Sequence, residues 1–232
     1  DWGERFLLAG RFRRGLLSVH PGHFADWNGQ AFGYFPQVDV SRLRQHVRLG
    51  ADLQAGQGRL RLWSDIEQGQ WRGGAADLDL QGVRLRLSDR LQDMAFAQLS
   101  GRISGQHGPA GWSLATERLA FVSDEGLVWP GGNIRLQISH AQGQQAARGQ
   151  LQGEQLDLQA LHSLALRLPL PERLHTELGG RELGGLVRSL RLQWNGTAES
   201  PQNLQGQIDA ELDRLYPDPA PASAPMACRA RS

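Results

Sequence analysis

Lysine is absent from this sequence, cysteine occurs once, and no apolar run approaches the roughly 20 residues that a membrane-crossing helix needs. The single Cys228 lies in a closing stretch, Pro217 to Ser232, that turns abruptly to Pro, Ala and Ser and reads as linker, disorder or artefact. A disulfide framework, a thiolate metal site and a thiol nucleophile are therefore excluded from the folded part. Excess charge of either sign is also missing: 25 basic residues, all arginine, face 24 acidic ones, leaving a net charge of +1. That balance gives no electrostatic footprint for nucleic acid. Arginine used throughout suits fixed cross-strand ion pairs. The sequence as given shows no initiator Met and no signal peptide, so targeting and anchoring signals are expected to lie outside it.

Catalytic signatures are equally scarce. No G-x-S-x-G elbow occurs, and the Gly-rich stretch from Gly179 to Gly185 lacks the Lys-Ser or Lys-Thr of a phosphate-cradling loop, so it reads as a turn. His20 and His23 flank Pro21-Gly22 without a third ligand nearby, which favours a loop over a metal site. The carboxylate pairs Asp65/Glu67, Asp77/Asp79 and Asp124/Glu125 are close in sequence only, and surface or turn roles account for them. Asn195-Gly196-Thr197 matches a glycosylation sequon of little weight in a chain of bacterial character. No cofactor and no metal are expected.

What is present is alternation of period two, with every second residue apolar and Arg, Asp or Gln between, the pattern of half-buried strands. It is clearest in Arg59 to Trp63, Asp77 to Leu80, Val83 to Leu87, Ile134 to Ile138, Leu190 to Trp194 and Leu204 to Leu212. Leu99 to Ile103, Trp112 to Thr116 and Leu127 to Trp129 show it more weakly. The 29 glycines fall largely between such segments, where tight turns need them. Between Asp77 and Leu87 the apolar phase slips by one residue at Gln81-Gly82, which requires a turn or a bulge. Read as a two-residue hairpin, it sets Asp79 against Arg84 and Asp77 against Arg86 on one side, with Leu80 against Val83 and Leu78 against Leu85 on the other.

Two segments depart from this pattern toward helix: one capped by Ser41, with Leu43 and Val47 on its apolar side, and one from about Gln159 to Leu166. Pro169 and Pro171 end the latter, and Pro171-Glu172 opens a further short helix through Leu178. The two helices expose an internal repeat, because Gln37-Val38-Asp39-Val40 is matched by Gln155-Leu156-Asp157-Leu158 at a spacing of 118 residues. A period that long implies a multistranded module with one helix. The expected division is the end of a preceding β module in 1–36, a β module in 37–154 that starts with a short helix, the start of the next in 155–216, and the tail in 217–232.

The succession of Trp112-Ser113-Leu114, Leu119-Ala120-Phe121, Val128-Trp129-Pro130-Gly131-Gly132, Ile134 to Ile138 and Gly149 to Gly153 resembles the AsmA-like superfamily. It continues through Leu156-Asp157-Leu158, Leu166 to Pro171 and Leu190 to Gly196, and within that superfamily it is most similar to the YhdP family. The match is best over roughly 112–216 and looser in the first half, through Val38 to Leu43 and Leu60 to Trp63. No one motif is diagnostic; order and spacing carry the likeness. The resemblance implies a mainly β fold of elongated, taco-like antiparallel β-groove modules with a few short helices. It implies a non-enzymatic segment of a conduit in the periplasm, anchored to the inner membrane by a segment outside this chain, that carries phospholipid acyl chains toward the outer membrane.

On that reading the groove is lined by Leu60, Leu62, Leu78, Leu80, Val83, Leu85, Leu87, Ile134, Leu136, Ile138, Leu190, Leu192 and Ile208. Periodicity alone favours an ordinary closed core, and it is the resemblance that turns the reading toward an open groove. A structural or adhesive β-repeat protein with such a core, and a β-sandwich carbohydrate-active enzyme with convergent carboxylates, therefore stand beside the conduit. Partners other than phospholipid and the two membranes, reached through parts outside this chain, are not indicated.

Overall fold

Alternating residues continue well past the short runs visible in the sequence, and strands account for most of the described residues. A computed structural model describes residues 5–14, 26–41, 52–87, 91–143, 146–165, 167, 183–197 and 201–215. It contains β1 (Leu7–Arg14), β2 (Trp27–Asp39), β3 (Asp52–Glu67), β4 (Gln70–Arg86), β5 (Met94–Gly108), β6 (Gly111–Ser123) and β7 (Val128–Ser139). They are followed by β8 (Arg148–Asp157), helix α1 (Leu158–Ala165), β9 (Leu183–Gly196) and β10 (Pro201–Leu215). The strands form one open antiparallel sheet in sequence order, and each packs against its chain neighbours, with no second sheet among the described residues. The hydrogen-bonded order runs unbroken through residue 37 and through residue 155. No helix among the described residues is long and apolar enough to cross a membrane.

Successive connections fall at opposite margins of the sheet. One margin holds the two-residue turns, between β5 and β6 and between β3 and β4, where Gln68 and Gly69 both take positive φ and close a turn of type I′. There Gly69 N donates to Trp27 O, and Gln68 N to Asn28 Oδ1. At the other margin lies the longest link, which carries α1 between β8 and β9.

The slip at Gln81-Gly82 is a bulge inside one long strand, which corrects the hairpin reading. β4 runs straight through it, with Gly82 at φ 58° and a register shift against β3. Asp79 consequently meets Arg59 of β3 at 3.9 Å, and Asp77 meets Arg102 of β5 at 3.0 Å, in place of Arg84 and Arg86. Gly184 and Gly185, expected in a turn, belong to β9; the rest of that Gly-rich stretch lies outside the described residues. Similar irregularities stand side by side in neighbouring strands. Register shifts occur at Phe35/Val38, Ser100/Arg102, Leu119/Phe121 and Asp209/Ala210, and positive φ at Gly56, Gly58, Gly101, Arg118, Gly131 and Gln155. A band of bulges thus crosses the sheet, bending and twisting successive strands at nearly the same level.

Between this band and the margin that carries α1 sits the core. Val38, Leu80, Leu99, Phe121 and Trp129 form one buried cross-strand row; beyond it lie Val40, Val83, Phe96, Met94, Leu156, Val187 and Ala160 of α1. The Phe121 ring packs edge-on to Phe96 and stacks on Trp129. Helix α1 begins where Asp157 Oδ1 accepts from Ala160 N at 2.9 Å, an N-cap at the third helical residue. In the earlier copy of the repeat Asp39 acts alike, accepting from the backbone N and Oγ of Ser41, so the aspartate bonds the serine that was expected to cap. The segment after Ser41, the Pro171 to Leu178 helix and His20/His23 lie outside the described residues. Removing the cap by Asp157→Ala is expected to cost about 0.5–2 kcal/mol, read as a lowered urea midpoint at unchanged slope.

Candidate functional site

Directly opposed residues of antiparallel strands project to the same side, so the register shows which side chains share a face. One row crosses all ten strands: Leu8, Gly33, Leu62, Ala76, Ile103, Thr116, Ile134, Gly153, Leu190 and Ile208. Two residues nearer the short turns runs a second: Gly10, Ala31, Ser64, Gly74, Gly105, Leu114, Leu136, Leu151, Leu192 and Gly206. Neither row holds a charge. At about 4.8 Å per strand, each extends about 43 Å across the sheet. A third row, Trp112, Ile138, Gly149 and Trp194, follows on β6 to β9.

The thirteen expected groove residues separate by burial. Leu60, Leu80 and Val83 are buried in the core, and Leu78, Leu85 and Leu87 pack against it. Leu62, Ile134 and Leu190, in the first charge-free row, touch the core from its border. Leu136 and Leu192 are half-buried outside the core, Ile138 is buried outside it, and Ile208 on the edge strand is exposed. Register places Ile103, Leu114, Leu151, Trp112 and Leu8 on the same face, none of which stood among the expected positions. Ile103, Leu114 and Trp112 lie in the weakly alternating runs, so a sequence signal existed for those three.

Glycine keeps this face low. Trp194 lies over Gly149, where a Cβ would stand 1.9 Å from the ring; Trp129 covers Gly132, and Phe12 covers Gly10 and Gly29. Each ring is laid along the sheet instead of standing up from it. Trp71 reaches across Gly105 at 3.9 Å and remains 53% exposed.

The opposite face is polar, and several of its charges are partnered. Besides the two ion pairs already given, Arg102 lies over the Trp63 ring at 4.8 Å and Arg61 over Tyr34 at 5.3 Å. Asp65 accepts from Gln30, Glu67 faces Arg72 at 3.3 Å, and Glu125 pairs with Arg167 at 2.6 Å. A depression of about 460 Å³ near the short turns contains Asp65 and Glu67, both from β3, with no carboxylate from another strand. The described residues hold no group of three or more His, Cys, Asp or Glu placed to bind a metal ion. At the surface, the hydrogen bond from Arg86 holds the Asp93 carboxyl below its usual range, against a weaker opposing effect of burial, with Gln54 and Arg84 assisting. Stability from that contact is present above the ordinary carboxylate value and is lost as pH falls through the lowered one.

Among the described residues, the arrangement offers an extended apolar surface, and the carboxylates of the depression near the short turns come from a single strand. No curated protein and no solved structure matches the chain. The family model described as YhdP protein matches residues 5–221, a span that includes every described strand, and the chain belongs to that family.

Proposed function

We propose that this chain is a non-enzymatic segment of a phospholipid conduit in the periplasm, with acyl chains lying along the charge-free rows between the bulge band and the short turns. The observation that carries it is a single-layer sheet with two uncharged rows running from β1 to β10 and no facing sheet among the described residues. Membership of the YhdP family supports the same reading. A closed sandwich, with or without enzymatic activity, requires a second sheet over this face, and none stands there among the described residues.

The physical task is to keep hydrocarbon out of water. An acyl chain of about fifteen methylenes exposed in the aqueous space costs on the order of 12 kcal/mol, at ~0.8 kcal/mol per methylene. A wall that is apolar at every strand removes most of that cost at each step while leaving the head group in water. No single residue then needs to bind tightly, and weak, repeated contact lets the lipid move on.

Photo-crosslinking residues at Leu114, Leu136 and Leu192 of the intact protein are expected to yield phospholipid adducts. Arg135 and Arg191, on the other face, are expected to yield few. Equal labelling of both faces, or no adduct at the leucines, sinks the proposal.

A further inference from the structure

Aromatic side chains are sorted by level on the apolar face. The two charge-free rows contain none, whereas the next level toward the two-residue turns carries Phe12 on β1, Trp71 on β4, Trp112 on β6 and Trp194 on β9. His107 on β5 faces Trp112 there, and Trp27 packs on Phe12 at 5.7 Å. Trp71 reaches this face through a bulge. Strict alternation from Gly74 brings Arg72 to the position, but the register shift at Asp65/Ile66 pairs Trp71 with Ile66, lays its ring over Gly105 and turns Arg72 to Glu67 on the polar face. A charge is thereby exchanged for an indole.

The two sides of the rows differ in access. Toward α1 they are shut in by Val38, Leu80, Leu99, Phe121 and Trp129, all buried in the core just beyond the bulge band. Toward the turns Trp71 is 53% exposed and Trp112 is 36% exposed. Indoles join an apolar body to an N–H donor, and membrane proteins gather them where hydrocarbon gives way to water. The depth fits that role. From the aromatic level to the first row is four residues along a strand, about 14 Å, close to the ~15 Å that one leaflet contributes to a hydrocarbon core of ~30 Å. We propose that Trp71 and Trp112 are positioning residues at the lip of the conduit, holding the ester region of a phospholipid at the turn margin. The head group then lies in water, and the acyl chains cross the second row to end at the first. This orientation rests on the conduit reading of those rows. Trp194 serves as floor, because it lies over Gly149 with its N–H enclosed and without an acceptor among the described residues.

Two phosphatidylcholine probes test the orientation, one carrying a diazirine beside the ester and the other at the acyl terminus, each presented in vesicles to the intact protein. Mass spectrometry of the photolysed protein is expected to place the ester-side label on Trp71 and Trp112 and the terminal label on Leu62, Ile103 and Ile134. Replacing both indoles with leucine, at positions exposed enough that circular dichroism is expected to stay unchanged, is expected to abolish the preference of the ester-side probe for the lip. Tyrosine at both positions, which keeps a ring with a polar tip, is expected to retain it. A reversed pattern, identical patterns from the two probes, or an order that survives the double leucine variant overturns the proposal and leaves the conduit standing. Failure of either probe to label the apolar face removes the conduit and the orientation together.

Discussion

Truncating Phe121 to alanine is expected to destabilise the chain by about 3–5 kcal/mol, while Leu136→Ala on the same face costs about 1 kcal/mol or less. Both residues point to the apolar side, and the difference lies in what surrounds them. Phe121 is buried between Phe96 and Trp129, so its removal leaves a cavity that neighbouring rings cannot fill without leaving their rotamers. Leu136 is half-buried between Leu114 and Leu151 and belongs to no core cluster, so its loss removes contacts without opening a sealed void. Urea unfolding of the two variants, compared at equal slope, measures the contrast. A Leu136→Ala penalty as large as that of Phe121→Ala means that the row is packed as core, and the acyl-chain reading goes with it.

The second large effect is expected at Gly58. Its φ of +146° is a backbone conformation that L side chains rarely adopt, and a Cβ there stands 2.2 Å from Asp79 O and 3.0 Å from Leu80 Cα. Both obstacles are backbone atoms, so no rotamer change relieves them and β3 must separate from β4. Gly58→Ala is expected to cost about 3 kcal/mol or more, the upper end of what backbone strain and clash impose. Gly82 supplies the control: at φ +58° with nothing within 4 Å of a Cβ, its alanine variant carries only the left-handed penalty of about 1–2 kcal/mol. Thermal unfolding of the pair checks the order, and a Gly82→Ala loss equal to that of Gly58→Ala contradicts it.

The strands were legible because Leu-Arg-Leu and Leu-Asp-Leu alternation has only one regular solution, a half-buried strand. Their lengths were not. Asp77 to Leu80 and Val83 to Leu87 look like two short strands because the phase changes between them, yet they are one strand whose bulge keeps Leu80 and Val83 on the same side. Arg118 and Gln155 take positive φ without any glycine to announce them, so the band across the sheet could not be read from composition. Leu80 and Leu136 are indistinguishable in local pattern, too. What separates them is how far each lies along its strand from the bulges and from the packing around α1, a tertiary property that alternation does not encode. The Asp39 and Asp157 pair shows the converse: two four-residue words 118 positions apart carried enough information to mark where the chain leaves the sheet.

Because every described strand hydrogen-bonds only to those before and after it in the chain, the described sheet has no pairing between strands that are not neighbours in sequence. Such a ladder can assemble progressively from either end, and its length is set by how many hairpins are threaded together, not by closure of a ring or a sandwich. Two strands inserted or deleted together preserve the up-and-down sense and leave the greasy side facing the same way, whereas the gain or loss of a single strand reverses the direction of all that follows. Length variation in chains built on this plan is accordingly expected to come in pairs.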